Sequence, residues 1–186
     1  MDLCHPPCTL DNCLTDRLVE STCNYPSRRT TIAPRPQQNS PVTPQQLAEQ
    51  VRDALWAGDH ATRMLGMEIT EVGPGRAVMR MTVRQDMLNG HAICHGGLIT
   101  TLADSTFAFA CNSYNELTVA SGFTVDLLAP GRLGDVLTAT GHEVSKAGRT
   151  GVYDIVVTNQ RGERIALFRG RSYTMRGKPV VVVLPA

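Results

Sequence analysis

Residues 96–114 read GGLITTLADSTFAFACNSY, and this stretch decides the architecture. Leu98, Ile99, Leu102, Ala103, Phe107, Phe109 and Ala110 fall on nearly every side of a helical wheel. A helix that is apolar on most faces is a buried helix. The spacing therefore predicts one long core helix over Gly96–Tyr114, opened by two glycines and carrying a single ionisable residue, Asp104.

Strand patterns flank that helix on both sides. Met67–Val72 is short and mixed. In RAVMRMTV (76–83), Met79, Met81 and Val83 fall on one face while Arg80 and Thr82 fall on the other, the alternation of a half-buried strand. Residues 84–95 form a loop that contains Asn89-Gly90. Beyond the helix, four strands are expected over Val119–Leu128, Val136–Val144, Thr150–Thr158 and Arg164–Thr174. Pro130-Gly131, Lys146-Ala147-Gly148 and Arg161-Gly162 supply the turns between them. Upstream, Thr43 is placed to cap a helix with Pro44 at its first position, and Leu47, Val51, Leu55 and Trp56 recur at helical spacing. Gly58 and Asp59 break that helix, and a short turn over His60–Leu65 follows. The sum is an α+β domain in which an antiparallel sheet covers one central helix.

Composition agrees with one domain plus an appendage. The chain has 186 residues, 42% hydrophobic and 19% charged, enough to bury a sizeable core. A formal net charge of +1 gives no electrostatic case for nucleic acid as a partner. No apolar run approaches the roughly 18 residues that would suggest a membrane span, and Val180–Leu184 reads as an extra edge strand or an apolar tail. A break falls near residue 44. Residues 1–43, rich in Pro, Ser, Thr, Arg and Gln over their second half, are expected to be largely disordered, and residues 44–186 to form the domain. Four of the six cysteines, Cys4, Cys8, Cys13 and Cys23, crowd that extension. With His5 they invite a zinc reading, but the spacing C-x3-C-x4-C lacks a second paired knuckle, so no metal is expected. No basic region followed by an apolar run opens the chain, so no secretory signal is expected. Free thiols and a cytoplasmic location are.

The chemistry centres on Asp104. A carboxylate inside a buried helix costs several kcal/mol unless it is paired or faces a cavity. Taken alone, a structural aspartate bonded to Ser105 or to backbone is the better reading. The start of the same helix changes that. His95-Gly96-Gly97 leaves N–H groups unobstructed by side chains, and such groups receive an anionic or polarised oxygen. Gly97 and Asp104 are seven residues apart, roughly 10 Å along a helix. One carbonyl cannot touch both in a single chain. If both act together, Asp104 comes from a second subunit and the site lies at a dimer interface.

The run LNGHAICHGGLITTLAD (88–104) resembles the phenylacetate-pathway acyl-CoA thioesterases of the hotdog superfamily, the PaaI type. The likeness continues through FAFACNS (107–113), VAS (119–121), LLAPGRLGD (127–135), GRTGVYDI (148–155) and ALFRGRSY (166–173), and covers roughly residues 55–180. It implies the hotdog fold, a sheet wrapped round the central helix. It implies hydrolysis of aryl-, phenylacetyl- or hydroxyphenylacetyl-type CoA thioesters, with acyl-CoA as substrate and no other cofactor, and assembly as a dimer of dimers. By the same resemblance Asp104 is the nucleophile or general base, and Gly96 offers the amide that polarises the thioester carbonyl. Asn89 positions substrate or water, and His95 orients the loop beside the pocket. Gly97, Lys146, Arg149 and Arg169 are then expected to contact coenzyme A. Each of these cations taken singly reads better as part of a solvated polar face. The likeness departs at Gly58-Asp59, where some relatives carry Asn.

Two other functions compete. A dehydratase or hydratase on this fold needs a His and a carboxylate in another arrangement, whereas here the histidine precedes the helix and Asp104 lies within it. A non-catalytic acyl-CoA-binding module would bind without turnover and would tolerate Asp104→Asn. Cys94 reads as a lining residue rather than a nucleophile, because no orienting partner is evident.

Overall fold

The computed structural model of the protein describes residues 41–182. The cysteine group at 4–23, and all but the last three residues of the extension over 1–43, lie outside the described residues. The domain starts with α1 (Pro44–Gly58). Thr43 caps it with a reciprocal box. Its Oγ1 accepts from the Gln46 N–H at 3.2 Å, and its own N–H donates to Gln46 Oε1 at 2.9 Å. Asp59 ends α1 and opens the single turn α2 (His60–Met64), where its carboxylate accepts from the Thr62 N–H at 3.0 Å.

There follow β1 (Met67–Gly73), β2 (Arg76–Thr82), a 3-10 turn (Gln85–Met87), α3 (Gly96–Asn112), β3 (Thr118–Leu127), β4 (Val136–Ala147), β5 (Thr150–Thr158) and β6 (Arg164–Thr174). All six strands join one antiparallel sheet in the order β1-β2-β4-β5-β6-β3. α3 lies between β2 and β3 in sequence, so β3 is carried across the helix to the far edge, outside β6.

α3 is the core of the domain. Leu102, Ala103, Thr106, Phe107 and Ala110 are buried against the sheet. The Phe107 ring sits 5.4 Å from that of Tyr153 and 6.0 Å from that of Phe168. Burying such a side chain contributes about 1.5–3 kcal/mol. The helix approaches the strands so closely that Gly170 has no room for a side chain: a Cβ there would lie 2.9 Å from the Phe107 ring. On the opposite side α1 covers part of the helix, with Trp56 and Phe109 6.3 Å apart.

The helix stops at Asn112, two residues before the expected end at Tyr114. The Asn112 amide clamps the start of β3, donating to Thr118 O and accepting from the Thr118 N–H, both at 2.9 Å. Ser113 accepts from the Gly75 N–H at 2.8 Å and ties the end of the helix to the β1–β2 turn. β4 runs three residues beyond the expected Val144. It passes a register shift between Glu143 and Ser145 and reaches the tight turn at Gly148, which holds φ +62°. Val180–Val182 form no strand. The Val181 backbone is held instead by the Asn115 side chain, at 2.8 and 2.9 Å.

Candidate active site

The helix start is set by its own flanking histidine. His95 caps α3, its Nδ1 accepting from the Gly97 N–H at 3.1 Å, while His95 O accepts from the Leu98 N–H at 2.9 Å. The Gly97 amide, expected to reach coenzyme A, is thus already engaged by His95. The Gly96 N–H makes no hydrogen bond among the described residues. It is the open donor at the positive end of a 17-residue helix.

The preceding loop folds around Asn89. Its Oδ1 accepts from the N–H groups of His91 at 2.9 Å and Ile93 at 3.4 Å. Its backbone exchanges bonds with Ile93 O at 2.8 Å and with the Ala92 N–H at 3.0 Å. Ala92 accepts a left-handed φ of 56° to close this turn. The oxygen of the Asn89 amide therefore holds the loop, and its NH2 hydrogens have no partner among the described residues. The loop itself is fastened by His95 N–H to Met87 O at 2.9 Å and by Cys94 N–H to Gly131 O at 2.8 Å.

Asn89 and Gly96 face one cleft of about 380 Å³, walled by Ile93, Ile99, Leu127 and Leu128. Its lining carries no charged side chain. The sequence pointed to Asn89 and Gly96 but missed Leu127 and Leu128. The signal was present: Phe123, Val125 and Leu127 alternate, which places Leu127 on the helix side of its strand.

Asp104 lies elsewhere on the helix and does not line the cleft. It is half-buried, and burial pushes its carboxyl above the usual carboxylate range. It has no hydrogen-bond partner among the described residues, and no fully buried side-chain oxygen or nitrogen there lacks one. The oxygens of Asp104 are therefore open to solvent rather than locked in a structural bond. The structural reading, a bond to Ser105, fails: Ser105 Oγ lies 3.4 Å from Thr62 Oγ1 instead. One chain thus holds open N–H donors at the cleft without a carboxylate beside them, and a free carboxylate two helical turns away.

The expected phosphate contacts do not gather at the cleft. Lys146 pairs with Glu116 at 2.9 Å and lies 4.2 Å from the centre of the Tyr114 ring, near the far end of α3. Arg149 donates to Thr174 O at 3.1 Å and stacks 4.4 Å over Tyr173. Arg169 grips Asp154 with two bonds of 2.6 Å. Lys146 and Arg169 are therefore held by carboxylates within the chain, whereas Arg171 makes no ion pair among the described residues. Cys94 lines the cleft but is buried, and burial raises its thiol pKa, which disfavours the thiolate a nucleophile needs. No group of His, Cys, Asp and Glu among the described residues could hold a metal ion. No described helix is long and apolar enough to cross a membrane.

Known proteins share this arrangement of helix and sheet. A profile of the thioesterase superfamily matches residues 91–166. The acyl-coenzyme A thioesterase PaaI of Escherichia coli is 47% identical over 124 residues, 67% of this chain and 89% of that protein. Human acyl-coenzyme A thioesterase 13 is 28% identical over 68% of this chain and 91% of its own length. Among solved structures, that of E. coli PaaI superposes with a TM-score of 0.72 at 44% identity, covering 73% of this chain and 99% of the other. A hypothetical thioesterase protein of Streptococcus pneumoniae, solved with coenzyme A, gives a TM-score of 0.57 at 28% identity over 59% of this chain and 88% of its own. With its six-stranded antiparallel sheet around α3, the chain belongs to the thioesterase superfamily of the hotdog fold, as a PaaI-type acyl-CoA thioesterase and hence a thioester hydrolase.

Proposed function

We propose that the protein hydrolyses aryl- or phenylacetyl-type acyl-CoA thioesters, at sites built across a two-fold dimer, within the breakdown of aromatic acids in the cytoplasm. The observation that carries this reading is the separation, along one helix, of the open Gly96 N–H from the solvent-facing Asp104 carboxylate. A second copy turned by a two-fold axis would supply its Asp104 to the cleft of the first, giving two equal sites.

In such a site the thioester carbonyl oxygen accepts from the Gly96 N–H, whose helix dipole favours the charge that develops there. Asn89 offers its NH2 hydrogens to substrate or water. The Asp104 carboxylate either attacks the carbonyl carbon or takes a proton from a water that does so. In the first case the C–S electron pair leaves on the sulfur of coenzyme A, and water then opens the mixed anhydride and restores the carboxylate. In the second, the proton taken from water passes to the departing thiolate. Neither route needs a cofactor beyond the coenzyme A of the substrate.

The dimer reading draws support from β3. This edge strand leaves Val119 and Phe123 exposed, and Leu127 at its end is 53% exposed. A long apolar edge is a liability unless something covers it. The family likeness supports further pairing of dimers into a tetramer, and it supports the aromatic acyl group. The test is thiol release from phenylacetyl-, hydroxyphenylacetyl-, benzoyl- and straight-chain acyl-CoAs. Preference for an aromatic ester supports the assigned substrate class, and preference for straight chains removes it. Binding without turnover on all of them would point to an acyl-CoA-binding module.

A further inference from the structure

We infer that Leu127 is the specificity-determining residue of this site, admitting acyl groups whose α-carbon is a methylene and hindering those whose α-carbon is branched or is itself an atom of a ring. The inference rests on the proposed use of the Gly96 N–H as the carbonyl's donor.

Leu127 faces α3. In the β3–β6 ladder it pairs with Ala166, while Val125 pairs with Phe168 and Phe123 with Gly170. Cross-strand partners share a face, and Ala166, Phe168 and Gly170 are all buried toward the helix. The backbone at Leu127 is fixed on both sides. Upstream, Phe123 stacks on Phe168 with ring centres 4.8 Å apart. Downstream, the Leu128 N–H donates to Ile165 O at 2.9 Å. The strand thus holds the Leu127 side chain at a set distance from the helix start.

That distance is short. A Cβ placed on Gly96 would lie 2.5 Å from Leu127 Cδ1. The leucine methyl therefore rests on the residue whose N–H is open, and only a hydrogen on Gly96 Cα leaves room for it. With the acyl arm, rather than the sulfur, turned toward the apolar wall of the cleft, a carbonyl oxygen bonded to that N–H would bring its own α-carbon into the neighbourhood of the same methyl. An α-carbon that bears one further carbon can turn it away from Leu127, whereas one that bears two must press one of them against the methyl. The other apolar walls are less placed to discriminate: Ile99 and Cys94 are locked in the core, and Leu128 makes no comparable approach to Gly96.

An arylacetyl group has its ring one methylene away from the carbonyl, whereas an aroyl group has it directly attached. Leu127 would therefore favour phenylacetyl over benzoyl or 2-methyl-branched thioesters. The experiment measures kcat/KM of wild type, Leu127→Ala, Leu127→Phe and Leu128→Ala on phenylacetyl-, benzoyl- and 2-methylbutanoyl-CoA. Asp104→Asn serves as the inactive control. Wild type is expected to prefer phenylacetyl-CoA. Leu127→Ala should raise the benzoyl-to-phenylacetyl ratio about tenfold, the scale on which apolar pockets discriminate. Leu127→Phe should lower it, and Leu128→Ala, at a residue that also lines the cleft but does not approach Gly96, should move it far less than Leu127→Ala does. Opposite shifts from the two Leu127 variants cannot arise from a general loss of folding or assembly. If wild type turns over and Asp104→Asn does not, yet the ratio is unmoved in both Leu127 variants or wild type prefers benzoyl-CoA, the role of Leu127 is wrong while the site stands. If wild type hydrolyses none of the three, the site reading falls and takes this inference with it.

Discussion

Two inactive variants should restore each other when mixed. Asp104→Asn keeps an intact cleft but removes the carboxylate, whereas Asn89→Ala keeps the carboxylate but removes a donor from the cleft. The size of the rescue follows from the geometry. Because Asp104 and the cleft are two helical turns apart on α3, each site would take its cleft from one chain and its carboxylate from the other. A mixed dimer then holds one site with both parts intact and one with both parts damaged. Random pairing makes about half of all dimers mixed, so co-expression of the two variants should recover about one quarter of wild-type turnover. Selecting mixed dimers with two affinity tags should raise this to about half per dimer. Each variant alone should retain far less: Asp104→Asn has no nucleophile or base at either site, and loss of one hydrogen-bond donor to the reacting groups, as in Asn89→Ala, costs up to about 10²–10³ in turnover. The assay is thiol release from phenylacetyl-CoA. Mixed dimers no more active than the better parent would refute the shared site and require a single chain to complete its own.

The pH dependence of Asp104 has a definite sign. Burial raises its pKa, so the acid limb of kcat/KM should lie above the ordinary carboxylate value of about 3.9. A limb at or below that value would contradict the desolvated carboxylate. A raised pKa also means that the folded state binds the proton more tightly than the unfolded chain. The resulting stability is present at low pH and is lost as pH rises through the raised value. Asp104→Asn should therefore melt above wild type at neutral pH, and the gap should close on acidification; an unchanged gap in thermal melts across that range would argue against it. In the core, Gly170→Ala sets a methyl 2.9 Å from the buried Phe107 ring and should cost about 1–3 kcal/mol. Thermal unfolding with no drop in Tm would mean that the helix–sheet contact yields more easily than the spacing indicates.

The local signals in this chain were strong and the long-range ones weak. Thr43-Pro44 marked the start of α1 because an N-cap and a first-turn proline have one physical meaning. β5 and β6 have the bounds expected for them, set off by the turn residues Gly148 and Arg161-Gly162. β4 overran its expected end because Lys146-Ala147-Gly148 contains only the beginning of a tight turn, and the strand runs up to the glycine that makes it. α3 stopped early because its end is set by the tertiary bonds of Asn112 and Ser113, which no local pattern encodes. The passage of β3 to the far edge was likewise invisible, since strand order depends on pairings across the whole domain. At the site, Asp104 and Gly96 stood out through residue type and spacing, and Asn89 through the family resemblance. The cations were less legible, because a basic residue on a strand gives no sign of its partner, and within the chain Lys146 and Arg169 have carboxylates beside them. Gly97 is similar: the histidine that announces the motif also takes up its amide within the chain.

The most direct test of the account is the turnover of Asp104→Asn against wild type, measured as thiol release from phenylacetyl-CoA on protein of native size and melting behaviour. The substitution keeps the shape of the side chain and removes its basicity and nucleophilicity. The account predicts that turnover nearly vanishes while the variant remains folded and still binds coenzyme A. Equal turnover in the two proteins would remove Asp104 from the chemistry and contradict the account at its centre.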